Sequence, residues 1–414
     1  MHNSAYQTAL DWLFQQFPSY QLIGDRAYKP TLDNIRKLAD AFGNPEEQLR
    51  FIHVAGTNGK GSSSSMMASI LQESGETVGL FTSPHLLDFR ERIRVNGAVI
   101  SEQDVIEFVA KIQHLKLDFE PSFFEITFIM ALHYFLSQNC TICVIETGMG
   151  GRLDATNIVK PLISVITNIS KDHEKHLGSH LYQIAREKAG IMKDGVPTVF
   201  GEQKFKEATT AIISSAKEKE IDLFFAEKMV KDDELYEYEL PMIGNYQFNN
   251  LRTILAALQL IEKEFPAYKD FIQIGLKNIQ QNTGLIGRMQ VMDRKPLLVY
   301  DVSHNEDGVR ETINSILPYS KNSILHILFG ASADKDVKSV IKALPLSAKL
   351  HFTSFHHDRS MEIEQLKAVG KEMGRNAISH NNPKEALSAI RLAAKEDDVI
   401  LVMGSFFLIA ELLK

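Results

Sequence analysis

The sequence predicts an α/β protein in two parts, and three observations carry that prediction. Short apolar runs alternate with amphipathic stretches of helical period along most of the chain, the pattern of a mostly parallel sheet with crossover helices. One such run, Phe51 to Ala55, opens onto the glycine-rich stretch Gly56-Thr57-Asn58-Gly59-Lys60-Gly61-Ser62, and Ser62 to Glu73 then reads as a helix closed by Gly75. After the polar stretch Gln281 to Arg288 a fresh alternation begins, which divides the chain into residues 1–288 and a smaller part, 289–414.

Composition sets the bounds. With 414 residues, 44% hydrophobic and 23% charged, the chain has room for two or three domains with their own cores. A net charge of -7 offers no large basic field, which argues against nucleic acid or a membrane surface as partner but leaves room for a local basic pocket. The N-terminus is polar, and no apolar run approaches about 18 residues, so neither an export signal nor a membrane span is expected. Cys140 and Cys143 share a C-x-x-C spacing inside an apolar run with no second pair to complete a zinc site. Strand alternation would point them to opposite faces. They read as buried reduced thiols of a cytoplasmic protein, expected to act as a monomer.

Taken in order, residues 5–50 read as two amphipathic helices around a polar turn, Ile23-Gly24-Asp25-Arg26, with Pro30 before the second. Strands follow at 51–55 and 78–81, and a hairpin is signalled by Asn96-Gly97. Helices are expected over about 102–117 and 122–138, strands over 141–145 and 162–167, and helices from about 180 and over 246–264. The second part carries strands near 297–301, 324–329, 349–354 and 398–403.

The chemistry gathers where strands end. Glycines let the backbone of the 56–62 stretch wrap an anion, the helix start adds its positive dipole end, Lys60 supplies a mobile charge and Ser62 a hydroxyl. Against the common pattern G-x-x-x-x-G-K-[ST], Val54 stands for the first Gly and Gly61 for the Ser or Thr. Strand, loop, lysine and helix together read as a nucleotide-phosphate loop. Glu146 ends an apolar strand before Thr147-Gly148-Met149-Gly150-Gly151, where a carboxylate suits Mg²⁺. Ser83 and His173 also follow strands, although Mg²⁺ prefers oxygen to imidazole. Lys188 lies on an amphipathic helix, by default a solvated face. Asp301, His304 and Asn305 end the first strand of the second part, and Arg288 lies at the junction. These residues read as a two-domain ATP–Mg²⁺ enzyme whose acceptor stays open. A nucleotide-regulated binding protein would leave the second metal set unexplained, and a structural protein leaves the strand-end ligands to coincidence.

Several motifs occur together and in order: Gly56 to Ser62, Thr82-Ser83-Pro84-His85-Leu86, Phe89-Arg90-Glu91-Arg92-Ile93, Glu146 to Asn157, and Arg186-Glu187-Lys188-Ala189-Gly190-Ile191. On these the chain resembles folylpolyglutamate synthase/dihydrofolate synthase, a branch of the Mur-ligase superfamily, from the phosphate loop to Gly404-Ser405. The resemblance implies a P-loop-type ATPase domain followed by a smaller Rossmann-like C-terminal domain. It implies transfer of the ATP γ-phosphate to a carboxylate and attack by the amine of L-glutamate. The carboxylate belongs to dihydropteroate or to the terminal glutamate of a reduced folate; both activities together, or either alone, remain open.

Residue by residue, the resemblance implies that Ser83 and Glu146 hold one Mg²⁺ and His173 a second, and that Lys188 is carbamylated. Lys60, Lys188 and His173 are then the catalytic set. Gly56, Thr57, Asn58, Gly59, Gly61, Ser62, Asn250, Arg288 and Asp301 meet the nucleotide, and His304 and Ser405 lie near the incoming glutamate. Tyr246 departs from the usual histidine, Val302-Ser303 from Gly-Ala, and Lys171 from an apolar residue.

Overall fold

A computed structural model describes residues 4–17 and 31–414. The expected turn at Ile23–Arg26 and Pro30 lie outside the described residues. The chain forms two compact units, Met1–Glu239 with Asn249–Leu285, and Leu240–Phe248 with Ile286–Lys414.

The first unit is built on β1 (Phe51–Ala55), β2 (Val78–Phe81), β3 (Ile93–Val95), β4 (Ala98–Val99), β5 (Ile142–Glu146), β6 (Ile163–Ile166), β7 (Thr198–Phe200) and β8 (Leu223–Phe225). They form one sheet in the order β4-β3-β2-β5-β1-β6-β7-β8, parallel except at the β2-β3-β4 edge. Strand β1 lies at the centre between β5 and β6, and all three are buried along their length. A strand covered on both faces needs apolar residues throughout, which is why these three read as continuous apolar runs. Their register puts Val54 beside Glu146 and Ala55 beside Ile166, so the loops after β1, β5 and β6 leave from one edge. The helix Phe123–Ser137 starts at a capping box made by Ser122 and Glu125 and buries Phe128 and Phe135. Phe81 meets Phe124 and Phe128 at ring separations of 5.6 and 5.2 Å. Fully burying a ring such as Phe81 or Phe128 contributes about 1.5–3 kcal/mol.

The second unit contains β9 (Gln290–Arg294), β10 (Leu297–Tyr300), β11 (Leu325–Phe329), β12 (Lys349–Thr353), β13 (Ala377–His380) and β14 (Val399–Met403), ordered β13-β12-β11-β14-β10-β9. Only β9 pairs antiparallel. One face of the sheet packs its apolar residues against the helices Glu306–Ile316, Val337–Ala343 and Ile363–Glu372. The other face carries a diagonal stack of His326, His351 and His380 with rings 5.5 and 5.3 Å apart. Neighbouring ring nitrogens lie 3.3 and 3.0 Å apart, and Asp398 is 3.7 Å from His326 Nε2.

Two expectations are corrected. The helix after the phosphate loop begins at Lys60, not Ser62, because the left-handed Gly59 (φ 82) serves as its N-cap. Cys140 and Cys143 do not point apart: their thiols meet in one core cluster. The strand begins only at Ile142, so its alternation does not reach Cys140. Both cysteines are buried and free. Among the described residues, no helix is long and apolar enough to cross a membrane.

Candidate active site

At the end of β1 the backbone turns through Gly56 (φ 151) and Gly59 (φ 82), conformations that L side chains rarely adopt. Space forbids a side chain as well. A Cβ on Gly56 would sit 1.9 Å from Thr167 Oγ1, and one on Gly59 2.2 Å from Asn250 Oδ1. Asn250 is thereby placed against the loop, and the helix Lys60–Glu73, with Gly61 and Ser62 in its first turn, turns its N-terminus to the same place.

The segment after β6 braces the loop. Thr57 N–H donates to Asn168 O at 3.0 Å, Asn58 N–H to Asn168 Oδ1 at 2.9 Å, and Thr57 Oγ1 to Ser170 O at 3.0 Å. Thr167 Oγ1 donates to Asn58 O at 2.6 Å.

Two lysines converge on one carbonyl. Lys60 Nζ donates to Gly56 O at 3.2 Å and to Thr57 O at 3.3 Å, and the buried Lys188 Nζ donates to the same Gly56 O at 2.8 Å. Burial, with the neighbouring Lys60 charge, lowers the Lys188 ammonium to about 7, against the opposing pull of Asp172 and Asp154. Near neutral pH a substantial share of Lys188 is therefore free amine. Lys188 is not on the solvated face that its helix pattern suggested.

Strand β5 delivers Glu146 to the same edge of the sheet, buried, where its Oε2 accepts Ser83 N–H at 3.0 Å. The loop carrying Ser83 is itself tied down. The Glu91 carboxylate accepts N–H groups from Leu86, Leu87 and Asp88 at 2.7, 2.9 and 2.8 Å. Buried Arg92 is lowered to about 10 by desolvation, opposed by the charges of Glu146 and Glu91, and its Nε donates to His85 Nδ1 at 2.8 Å. Burial and Arg92 hold His85 neutral, so it can accept. A carboxylate and a hydroxyl at one edge are hard oxygen donors and fit Mg²⁺. Thr147, next in the chain, adds a buried hydroxyl with no protein partner. Among the described residues no group of three or more His, Cys, Asp or Glu could hold a metal alone. His173 adopts a left-handed backbone (φ 52), with Nε2 3.9 Å from Asp172 Oδ2.

In the second unit, Arg288 lies with its guanidinium 5.1 Å from the Phe406 ring, and the His304 ring is 5.8 Å from that same ring. Ser405 caps the last helix, accepting Phe407 N–H at 3.2 Å. Asp301 is buried at the end of β10 and accepts N–H groups from Met289 and Ser303, each at 2.9 Å.

Sequence reasoning missed Thr167, Asn168 and Ser170, which brace the loop from more than 100 positions away. It also missed Glu91 and Arg92 as supports, although both sit in a motif it had singled out.

Known proteins share this architecture. The description "Mur ligase middle domain" matches residues 54–261, and "Mur ligase, glutamate ligase domain" matches residues 287–406. The dihydrofolate synthase/folylpolyglutamate synthase of Bacillus subtilis is 31% identical, over 99% of each chain. E. coli FolC in complex with DHPP and ADP superposes with a TM-score of 0.85 at 27% identity, over 100% of this chain and 98% of that one. The Yersinia pestis bifunctional folylpolyglutamate synthase/dihydrofolate synthase, complexed with AMPPNP and Mn ion, gives 0.85 at 26% identity, over 100% and 99%.

Proposed function

The chain belongs to the Mur ligases, in the dihydrofolate synthase/folylpolyglutamate synthase branch, and from that premise we propose the following reaction for it. It joins L-glutamate to dihydropteroate and to the terminal γ-carboxylate of reduced folates, driven by ATP. Residues 1–288 bind ATP and residues 289–414 form the glutamate-ligase part.

Lys60 and the helix start neutralise charge on the γ-phosphate as a substrate carboxylate oxygen attacks it and ADP leaves. The resulting acyl phosphate is attacked by the α-amine of glutamate; the tetrahedral intermediate collapses to the amide and expels phosphate. Gly56 to Ser62 cradle the phosphates, with Asn250, Arg288 and Asp301 at the nucleotide and His304 and Ser405 at glutamate. Ser83 and Glu146 would hold Mg²⁺, with His173 at a second site; when bound, the ion supplies Lewis-acid neutralisation of phosphate oxygens. Lys188 adds as free amine to CO₂, forming a carbamate and releasing one proton. The same proposal covers a monomer working in a cytoplasmic setting, in keeping with its two free thiols.

The observation that supports the reading most is the convergence of Lys60 and Lys188 on Gly56 O. The test is ATP-dependent phosphate release with L-glutamate, offering dihydropteroate and a reduced folate separately, with mass spectrometry of products. Glutamate added to both acceptors supports the bifunctional reading. Addition to one restricts the chain to that activity, and addition to neither overturns the folate assignment.

A further inference from the structure

We infer that Tyr246 is a positioning residue for Arg288, acting through the Asp301 carboxylate. This inference rests on the proposed role of Arg288 at the nucleotide.

Three residues carry the geometry. Gly287 (φ 68) and Met289 (φ 48) both lie in the left-handed region, so Arg288 stands at the apex of a doubly turned backbone. For Met289, a buried non-glycine residue, that conformation is strained and persists only where its surroundings enforce it. The enforcement is visible. Met289 N–H donates to Asp301 Oδ2 at 2.9 Å, and Gly287 O accepts Val302 N–H at 2.9 Å. Both sides of Arg288 are thus pinned to the end of β10.

Asp301 is held in turn. Tyr246 O–H donates to Oδ2 at 3.2 Å, while Thr312 O–H and Ser303 N–H donate to Oδ1 at 3.0 and 2.9 Å. Thr312 Oγ1 also lies 3.0 Å from Ser303 Oγ. Four donors from the chain thus converge on Asp301, two on each oxygen. Tyr246 and Ser303, two departures from the family pattern, therefore meet on one carboxylate. Burial and the Asp301 charge raise the Tyr246 phenol well above its usual range, so it remains a donor at working pH. Donation to a buried charge is the stronger kind of hydrogen bond, and its loss lets Oδ2 turn away from Met289. The Arg288 guanidinium then leaves its place over Phe406.

Tyr246→Phe removes only the hydroxyl. Steady-state kinetics should show KM for ATP raised about tenfold, with kcat at saturating ATP within about twofold of the parent. Thr312→Val, which removes a donor from the other oxygen, should shift KM in the same direction by less. On an Arg288→Ala background Tyr246→Phe should add nothing, because the residue it positions is gone. An unchanged KM in Tyr246→Phe, or an equal further rise on the Arg288→Ala background, overturns the inference. A lower melting temperature with KM untouched marks a merely structural tyrosine and overturns it too. If Arg288→Ala alone leaves KM for ATP unchanged, the failure belongs to the nucleotide reading of Arg288.

Discussion

Among the described residues, two clusters of like-charging groups, each with a buried member, make a comparison: one has the surroundings of a site and the other does not. Lys60 and Lys188 meet at Gly56 O, and His326, His351 and His380 stack across β11, β12 and β13. Lys188 in the first cluster and His351 in the second are both lowered, for the same first reason: burial penalises the charged form. Position separates them. The lysines lie where parallel strands end, beside left-handed glycines and a helix N-terminus. The histidines lie on the face of a sheet, and each ring nitrogen aimed along the stack meets the next ring. A perturbed pKa marks a buried group; backbone geometry makes it a site.

The largest expected effect separates the clusters at once. Lys60→Ala should lower turnover by about 10³-fold or more, the scale for losing a preorganised charge in a closed site. Turnover near the parental rate would break the distinction. Lys188→Ala should follow, with about 10²-fold loss that added bicarbonate does not restore. In the parent enzyme, the rate should rise with pH through about 7, because the amine that captures CO₂ is the deprotonated form. A flat profile between pH 6 and 8 would contradict the carbamate.

Gly59→Ala sharpens the geometric half of the comparison. It places a Cβ against Asn250 Oδ1 on a left-handed backbone, which costs about 1–3 kcal/mol. A rise of about tenfold in KM for ATP is expected.

The smallest effect on turnover is expected at the histidines, whose titration should appear only in stability. His351 is lowered to about 4 by burial, then by His380, His326 and Lys349. Burial lowers His326 and His380 also, with Lys349 acting in the same sense on His326, and Asp398 and Glu385 pulling the other way. The unfolded chain takes up these protons below about pH 6.5, whereas the folded chain holds the rings neutral. Stability is therefore full above pH 6.5 and falls as pH drops toward 4, by roughly 3 kcal/mol for His351. His351→Leu should flatten that limb in urea titrations. Unchanged acid dependence would show that the stack does not govern it.

Legibility followed the range of the interactions. The loop Gly56–Ser62 could be read because strand, glycines, lysine and helix are neighbours in sequence. Strands β1, β5 and β6 were legible because burial on both faces demands unbroken apolar runs. Strands β9 and β13 were not, since Gln290–Arg294 and Ala377–His380 are edge strands with largely half-buried or exposed residues. Lys188 looked solvated because local pattern cannot reveal that a helix face is buried against Gly56; only the family resemblance reversed that reading. Asn168 braces Asn58 from 110 positions away, and three histidines on three strands share no local signature.

The central claim is that the chain activates a carboxylate by phosphorylation. A dihydropteroate carboxylate labelled with oxygen-18, incubated with ATP, Mg²⁺ and L-glutamate, tests it most directly. The account predicts that one labelled oxygen leaves in the inorganic phosphate while the other remains in the amide product. Amide product formed with unlabelled phosphate would contradict an acyl phosphate, and with it the role assigned to the lysines at Gly56.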